Sequence, residues 1–427
     1  MIRKILAKSK LALFIYSEFN KIKMQTVLFI ARYTHHNEVL RIKKKVKNGE
    51  KIKVTFLVMD KSVWKTDLVY QAMVKDKFYD PSIVVIPRVT SSDVMKTAEQ
   101  TYEFFRKKMY KTTLAYQDCS WKPLNEIVDS DIIFISNPHK ITAEDYYISS
   151  LKYKLTCYVP YFEQIDNNYK LHFDGETENL VWKIFQINNI HKKIALKHAT
   201  NRGSNVVVVG YPATEAIYTN TINESSPWLN DGRKNIIIAP HHNINGIDLS
   251  NSTFLDNAEL LQSLASKYKA QVKFAFKPHP LLKDNLYKHP DWGVVRTNKY
   301  WDFWNKTENC QLETGDYVQL FKKSDGMIHD CSSFLIEYLY TRNPCLYLNS
   351  RIRTKLNDYG RIGFDAVKKS ENDSDIFEFI ENVISGAEPK IDENIVMGIK
   401  PEKSPTESIL AELTNSFIRV DNERVNQ

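Results

Sequence analysis

The chain has 427 residues, of which 43% are apolar and 26% charged, a composition typical of a globular protein long enough for two cores. No run approaches the roughly 18–20 consecutive apolar residues of a membrane-spanning helix, and the five scattered cysteines show no metal-like pairing, which favours a reducing compartment. Residues 1–47 carry twelve Lys and Arg against two Glu, or +10, whereas the whole chain carries +8, so the basic excess is confined to this segment.

The first predicted element is a basic amphipathic helix over residues 1–22, with lysines beside an apolar face. Its apolar centre is too short for a signal peptide, and no small-residue cleavage site follows. Two roles fit: a surface helix packed on its own domain, or an interfacial helix attracted to anionic lipid. Nucleic acid is not expected as a partner, because no base-stacking motif accompanies the charge.

Residues 23–218 are predicted to form an N-terminal Rossmann-like domain. Short β-branched runs alternate with helically spaced segments, which indicates a parallel sheet wound with helices. Strands are predicted within 26–34, 53–60, 81–89, 131–138, 155–161 and 205–212, and helices over 91–110 and about 178–198. The polar, turn-rich segment 219–235 is the best candidate for a linker.

Residues 219–400 are predicted to form a second Rossmann-like domain, and residues 401–427 a C-terminal helix and tail. Strands are predicted within 235–242, 272–280, 293–296, 326–330 and 345–349, and helices over 254–268, 317–325 and 332–341. The fold class is therefore α/β, with two doubly wound domains, and any ligand is expected at the carboxyl ends of strands in a cleft between them.

The segment DCSSFLIE, residues 330–337, follows a predicted strand and opens a predicted helix. Three interpretations compete: a core helix capped by serine, a nucleophilic serine, and a phosphate cradle. Capping by Ser332 or Ser333 with Glu337 is a common structural pattern. A nucleophile is disfavoured because the segment lacks G-x-S-x-G. In a cradle, the first helix amides and both serine hydroxyls would meet phosphate oxygens, and Glu337 would accept from a ribose hydroxyl.

Two further strand ends carry histidine. In KPHP, residues 277–280, the prolines constrain the backbone around His279, whose ring can donate to a phosphate, with Lys277 adding charge; a ring satisfied by a loop carbonyl is the alternative. In APHH, residues 239–242, His241 and His242 are expected to point in different directions and not to share a metal. One of these two histidines is a candidate functional residue.

The remaining candidates are weaker. Gly210 in VVGYP lets the backbone approach a ligand. Tyr161 and Glu163 follow the strand at 155–161 and are expected to be exposed in the cleft, although packing is the commoner fate of tyrosine. His35 and His36 follow the first predicted strand and are expected on the surface.

Together, Gly-Tyr-Pro at 210–212, Ala-Pro at 239–240, Lys-Pro-His-Pro at 277–280, Asp-Cys-Ser-Ser-x-x-x-Glu at 330–337 and Asn-Pro-Cys-Leu-Tyr-Leu at 343–348 form an ordered series. The series resembles the CDP-glycerol glycerophosphotransferase family of teichoic-acid-polymerase type, which has the GT-B fold. The resemblance covers about residues 205–350, and it implies that residues 23–218 form the acceptor domain and residues 219–400 the domain that binds the donor nucleotide.

The resemblance implies that His279 contacts the donor phosphates and that Ser332 and Ser333 hold the pyrophosphate. It also implies that Pro240 and His241 line the donor cleft, and that Glu337 replaces the family's usual Asp. The polymerases' Trp-His-Gly-Thr-Pro stretch, whose His is taken as the base, is missing here, and Cys157–Tyr161 occupies the corresponding strand end. The base is therefore open among Glu163, His241 and His36.

The expected function is transfer of glycerol phosphate, or a related polyol phosphate, from a CDP-activated donor to a hydroxyl of a cell-surface glycan, with release of CMP. No metal or other cofactor is expected besides CDP-glycerol as donor. A lipid-linked glycan and the anionic inner face of the cell membrane are the expected partners of a peripheral cytoplasmic enzyme, and self-association remains an option. Two alternatives stay open: a GT-B glycosyltransferase using a nucleotide sugar, and a non-catalytic scaffold in a polysaccharide assembly complex.

Overall fold

A computed structural model describes residues 10–89, 93–219, 226–228, 231–244, 252–349 and 355–417, with side chains from Met24 onward. The chain forms two compact units. The first contains the described residues up to Tyr161, Tyr169–Val209 and the described residues from Pro405 onward. The second contains Phe162–Asn168 and the described residues from Gly210 to Ser404.

The first unit is built on a seven-stranded parallel sheet in the order β3-β2-β1-β6-β7-β8-β9. These strands are β1 Ile52–Val58, β2 Tyr79–Val85, β3 Thr112–Leu114, β6 Ile132–Ile135, β7 Leu155–Tyr158, β8 Lys183–Gln186 and β9 Val206–Val208. Strands β4 Tyr116–Gln117 and β5 Ser120–Trp121 form a separate hairpin. The central strands are apolar on both faces because helices cover both sides of a parallel sheet.

The helices of the first unit are α1 Lys10–Lys47, α2 Asp67–Lys75, α3 Val94–Lys107, α4 Leu124–Ile127, α5 Ile148–Leu151, α6 Tyr169–Phe173, α7 Glu176–Leu180, α8 Asn189–His198 and, far along the chain, α18 Pro405–Phe417. Helix α18 places Ile409, Leu413 and Phe417 in the same core as β1 and β2. The C-terminal helix is therefore part of the first unit's core.

The second unit contains a six-stranded parallel sheet in the order β12-β11-β10-β13-β14-β15. Its strands are β10 Lys234–Ala239, β11 Val272–Phe276, β12 Cys310–Leu312, β13 Gly326–His329, β14 Cys345–Leu348 and β15 Lys368–Ser370. Counted from its own first strand, this is the 3-2-1-4-5-6 order of a dinucleotide-binding Rossmann sheet. The order reverses between β10 and β13, which is where ligands bind in such sheets.

The helices of the second unit are α9 Pro212–Tyr218, α10 Phe254–Lys267, α11 Leu282–Tyr287, α12 Gly293–Lys306, α13 Val318–Lys322, α14 Phe334–Glu337, α15 Asp358–Ala366, α16 Asp373–Ser385 and α17 Glu393–Ile399. Helix α16 begins with a capping box between Asn372 and Asp375 and ends at Gly386, which has a φ of +77°. Start and stop signals of this kind explain why its boundaries are sharp.

Three predicted elements have a different secondary structure, in whole or in part. Residues 26–34 lie in helix α1 and not in a strand, because Leu28, Ala31, His35 and Ile42 form one buried helical face. Residues 293–296 begin helix α12, whose buried Thr297, Tyr300, Trp301 and Trp304 also recur at helical spacing. The predicted helix over about 178–198 is interrupted by strand β8.

The described residues include only part of the predicted N-terminal helix, linker and C-terminal tail. Residues 1–9 of the predicted N-terminal helix lie outside the described residues, and the remainder of the segment belongs to α1. Residues 220–225 and 229–230 of the predicted linker are also outside the described residues. The two units divide between Val209 and Gly210. Within the described chain, no helix has the length and apolar character needed to cross a bilayer.

Candidate active site

The carboxyl ends of β10, β11 and β13 bring three of the predicted segments together in the second unit. Pro240 and His241 follow β10, His279 follows β11, and Ser332 follows β13. Because β10 pairs with both neighbours in parallel register, these segments leave the sheet at one edge. The outer two strands lie two strand spacings, or about 10 Å, apart. The site therefore sits where the strand order reverses.

Asp330 anchors this edge. Its carboxylate is fully buried and accepts hydrogen bonds from the backbone N–H of His241 at 2.5 Å, the backbone N–H of Thr253 at 2.6 Å and the Thr253 hydroxyl at 3.1 Å. Burial raises the pKa of Asp330 to about 6, and the bonds from Thr253 and His241 oppose that rise. One carboxylate thus ties the loop after β10 to the end of β13.

Three histidine rings pack against one another beside this anchor. The ring centroids of His241 and His242 are 4.3 Å apart, those of His242 and His279 are 3.9 Å apart with the planes 28° from parallel, and those of His241 and His279 are 5.5 Å apart. The expectation that His241 and His242 point in different directions is wrong, because the backbone is not extended at this point.

Backbone contacts determine the tautomers of two rings. The N–H of Asn243 donates to Nδ1 of His241 at 3.2 Å, and the N–H of Leu281 donates to Nδ1 of His279 at 3.1 Å. In both residues the Nδ1 lone pair is thus occupied, so the proton of a neutral ring resides on Nε2. Burial lowers the pKa of His241 to about 3 and that of His242 to about 4, so both are neutral at pH 7.

Lys277 and Glu337, both predicted to bind the donor, are linked through Tyr317. The Lys277 ammonium donates to the Gly315 carbonyl at 2.9 Å and lies 5.6 Å from the centroid of the Tyr317 ring. The Tyr317 hydroxyl donates to the Glu337 carboxylate, which is almost fully buried. The carboxylate that was expected to accept from a ribose hydroxyl thus accepts from the Tyr317 hydroxyl in this structure.

Ser332 and Ser333 are half-buried at the end of β13, but the helix that follows is shorter than predicted. Helix α14 has four residues and continues as a 3₁₀ turn over Tyr338–Thr341. Ser333 occupies the cap position without a capping side-chain bond, and its Oγ lies 3.5 Å from the Cys331 sulfur. The serine-capped helix is therefore not observed, and so short a helix contributes little dipole, which leaves the hydroxyls as the main donors of this segment.

Two predicted backbone positions have clear local roles. The carbonyl of buried Pro240 accepts a hydrogen bond from the N–H of His279 at 3.1 Å, which joins the loops after β10 and β11. Gly210 has a φ of +94°, a left-handed conformation that favours glycine, just before helix α9.

The expectation that Glu163 is exposed is wrong. Its exposed fraction is 0%, and it lies beside Tyr359 and Tyr340 in the interior of the second unit. A carboxylate enclosed in this way cannot reach the hydroxyl of a bound glycan, so we do not retain it as the base. The surface position expected for His35 is also wrong, since this residue is buried in α1, whereas His36 is exposed.

Sequence reasoning missed the roles of Asp330, His242 and Tyr317. The role of Asp330 could have been predicted, because the residue directly follows an apolar strand. A carboxylate buried at such a position needs backbone N–H groups as hydrogen-bond donors. For Tyr317 there was no such signal. Among the described residues, no group of three or more His, Cys, Asp or Glu side chains is arranged to hold a metal ion.

The two Rossmann-like units define the GT-B fold. Residues 166–371, just under half of the chain, match the family model for CDP-glycerol:poly(glycerophosphate) glycerophosphotransferase. The region that contains the candidate site is therefore similar to this family of transferases. No protein of curated function matches the chain significantly.

Two solved epimerase structures show the same fold at low sequence identity. A putative UDP-N-acetylglucosamine 2-epimerase from Listeria monocytogenes aligns with a TM-score of 0.54 and 14% identity, over 87% of this chain and 98% of that one. The UDP-GlcNAc 2-epimerase from Neisseria meningitidis aligns with a TM-score of 0.52 and 15% identity, over 85% and 100%. A variant of the wall teichoic acid polymerase TagF aligns with a TM-score of 0.46 and 14% identity, over 91% and 93%.

We expect Asp330→Asn to destabilise the second unit by about 2–5 kcal/mol, because buried donors lose a charged acceptor. Asp325→Asn is the matched control. The Asp325 carboxylate joins the other end of β13 to β10 by accepting from the backbone N–H of Asn235 at 2.9 Å, but unlike Asp330 it is partly exposed. Urea denaturation checks both variants. Equal and small decreases in the free energy of unfolding of both variants would contradict the special role of Asp330.

The neutral histidines predict that stability falls as the pH is lowered from about 6.5 to 4. The unfolded chain takes up protons near pH 6.5, whereas burial lowers the folded pKa of His242 to about 4, so acid favours unfolding in this window. Asp330, whose pKa is raised, offsets part of the loss. His242→Asn should flatten the decline by roughly 1 kcal/mol per pH unit.

The measurement is urea denaturation at pH 7, 6 and 5, with His289→Asn as a control outside the cluster. Parallel stability curves for the wild type and His242→Asn would contradict the prediction.

Proposed function

We propose that this protein transfers glycerol phosphate, or a related polyol phosphate, from a CDP-activated donor to a hydroxyl of a cell-surface glycan of capsule, O-antigen or teichoic-acid type. The observation that carries the proposal is the set of packed histidine rings, held by Asp330 at the switch point of the second sheet. This set lies inside the region that matches the glycerophosphotransferase family.

The arrangement suits a diphosphate. Nε2–H groups of His241 and His279 are donors, the Ser332 and Ser333 hydroxyls add two more, and Lys277 supplies positive charge nearby. Because the imidazole of His241 is neutral before binding, an arriving diphosphate also raises its affinity for a proton. His279, whose ring packs beside that of His241, is placed to stabilise the charge that develops on the departing CMP.

In the proposed step, the acceptor hydroxyl loses its proton to water as its oxygen bonds to the phosphorus of the glycerol phosphate, and the bond from that phosphorus to the bridging oxygen breaks. CMP leaves with the electron pair. Catalysis by this unit is positioning and charge stabilisation, as in other phosphoryl transfers.

We expect His279→Gln to lower the rate of CMP release by about 10²-fold or more, through loss of a donor in the transition state. His289→Gln is a close control, since His289 also precedes a proline and also accepts a backbone N–H, from Asp291 at 3.3 Å, but lies outside the cluster. The assay follows CMP release and the mass of a glycan acceptor with CDP-glycerol, CDP-ribitol, UDP-sugars and CMP-sugars as donors.

Consumption of nucleotide sugars alone would refute the proposal in favour of a glycosyltransferase. Absence of CDP binding in calorimetry would favour a scaffold.

We also propose that helix α1 associates with an anionic membrane surface. Phe29 is 72% and Tyr33 64% exposed, and Ile30 and Leu40 extend the same apolar surface, opposite the buried face of the helix. Exposed basic residues lie along the helix at Arg32, Arg41, Lys44 and Lys47. An apolar surface flanked by basic residues is typical of interfacial helices.

Phe29→Ser with Ile30→Ser should reduce binding to phosphatidylglycerol vesicles about tenfold, because apolar area is no longer buried in lipid. The control is Val294→Ser with Val295→Ser, two exposed valines on α12. Vesicle sedimentation gives the readout, and equal binding by both double variants would contradict the proposal.

A further inference from the structure

The first unit contains a cavity at the amino ends of two of its strands. The cavity has a volume of about 390 Å³ and lies between helix α1 and the residues that precede β8 and β9. Leu28, His35 and Val39 of α1 line it, as does Trp182, which directly precedes β8. Ligand sites usually measure about 300–1,000 Å³, so a small molecule fits here, at the edge of the sheet opposite the one where doubly wound folds bind their substrates.

Asparagine side chains hold one polar wall of the cavity in place. The Asn201 side chain donates to the Glu178 and Asn179 carbonyls, each at 3.2 Å, and to Oδ1 of Asn205 at 3.0 Å. The Asn205 side chain donates to the Val181 carbonyl at 2.8 Å. These bonds join the end of α7 to the turn before β9, so the wall is formed before any ligand binds.

Arg32 supplies the positive charge of the cavity. Among the described residues, its guanidinium makes one hydrogen bond, to the Ser204 hydroxyl at 2.9 Å, and no ion pair. The described residues that line the cavity include no Asp or Glu. Burial lowers the pKa of His35 to about 4, so this ring is neutral at pH 7. A guanidinium with unused N–H groups beside a hydroxyl suits the oxygens of a phosphate.

The mouth of the cavity adjoins the exposed apolar surface of helix α1. Arg32, His36 and Ser204 are the exposed residues of the lining and mark this mouth. Phe29 lies three residues before Arg32, so the two side chains are neighbours on the helix surface. Tyr33 and His36 have the same spacing. A phosphate bound at the mouth therefore has an apolar surface next to it, where acyl chains attached to that phosphate are able to lie.

We propose that this cavity binds the phosphate-bearing headgroup of a single anionic phospholipid, with Arg32 and Ser204 on the phosphate and the acyl chains along Phe29 and Tyr33. The inference rests on the proposed association of α1 with an anionic membrane, to which it adds a defined lipid site. Because the lining has a cation and no carboxylate, a lipid with net negative charge is favoured over one whose choline ammonium cancels that charge.

The test uses monomeric dihexanoyl-phosphatidylglycerol, which presents the headgroup without a membrane. Arg32→Lys keeps the charge but loses the planar pair of donors, so it should weaken binding in calorimetry about fivefold or more. Lys44→Arg, a control that also keeps the charge and lies on α1 outside the cavity, should bind like the wild type. Equal affinities of the wild type and Arg32→Lys, or no binding by the wild type, would overturn the site.

Tryptophan fluorescence locates the lipid. The short-chain lipid should change the emission of the wild type, and Trp182→Phe should remove most of that change because Trp182 lines the cavity. A change that persists in Trp182→Phe would place the lipid elsewhere and refute the proposal.

Two further ligands test the source of the phosphate. Glycerol 3-phosphate lacks the acyl chains, and dihexanoyl-phosphatidylcholine lacks the net charge, so each should bind about tenfold more weakly. Equal binding of glycerol 3-phosphate would assign the cavity to soluble phosphate esters, and equal binding of the choline lipid would remove the preference for negative charge. Either result contradicts the proposal.

The cavity and the membrane association fail separately. If the wild type does not sediment with phosphatidylglycerol vesicles but binds the short-chain lipid through Arg32, membrane association is refuted and the cavity site is supported. If it sediments with vesicles but does not bind the short-chain lipid, the cavity site is refuted and the association of α1 stands.

Discussion

The candidate site depends on one buried carboxylate. Asp330 has no contact with solvent and receives two backbone N–H groups and a hydroxyl from the loop that follows a neighbouring strand. A buried charge of this kind is tolerated only when its lone pairs are occupied, so the loop and the carboxylate stabilise each other. Because His241 is one of the donors, the contact that satisfies Asp330 also positions the histidine rings.

Most of the fold could be predicted from the sequence because parallel strands buried on both faces are continuous apolar runs. This pattern located β1, β6, β10 and β11. The pattern predicted the wrong secondary structure for residues 26–34. These residues lie in a helix that has apolar side chains on its exposed side as well as on its buried side, so they also contain a continuous apolar run. The pattern also missed some strands of three or four residues, among them β8, β12 and β15, since their pairing depends on neighbours distant in the chain.

The sequence predicted which strand ends form the site, but it predicted fewer of the contacts between side chains. Lys277, His279 and Ser332 lie at the sheet edge where the order of motifs placed them. The stacking of His242 on His279 depends on a turn that no local pattern indicates, and the bond from Tyr317 to Glu337 joins residues of different elements. Glu163 illustrates the opposite error: a charged residue near a strand end was expected in solvent, whereas tertiary packing buries it.

Helix α18 has a consequence for how the molecule is made. Residues 405–417 complete a core whose strands were synthesised hundreds of residues earlier, and the second unit lies between them in the chain. During translation the first unit therefore has an uncovered apolar surface at β1 and β2 until residues 405–417 have been synthesised. The second unit is able to mature first, so the order of folding on the ribosome reverses the order of the sheets along the chain.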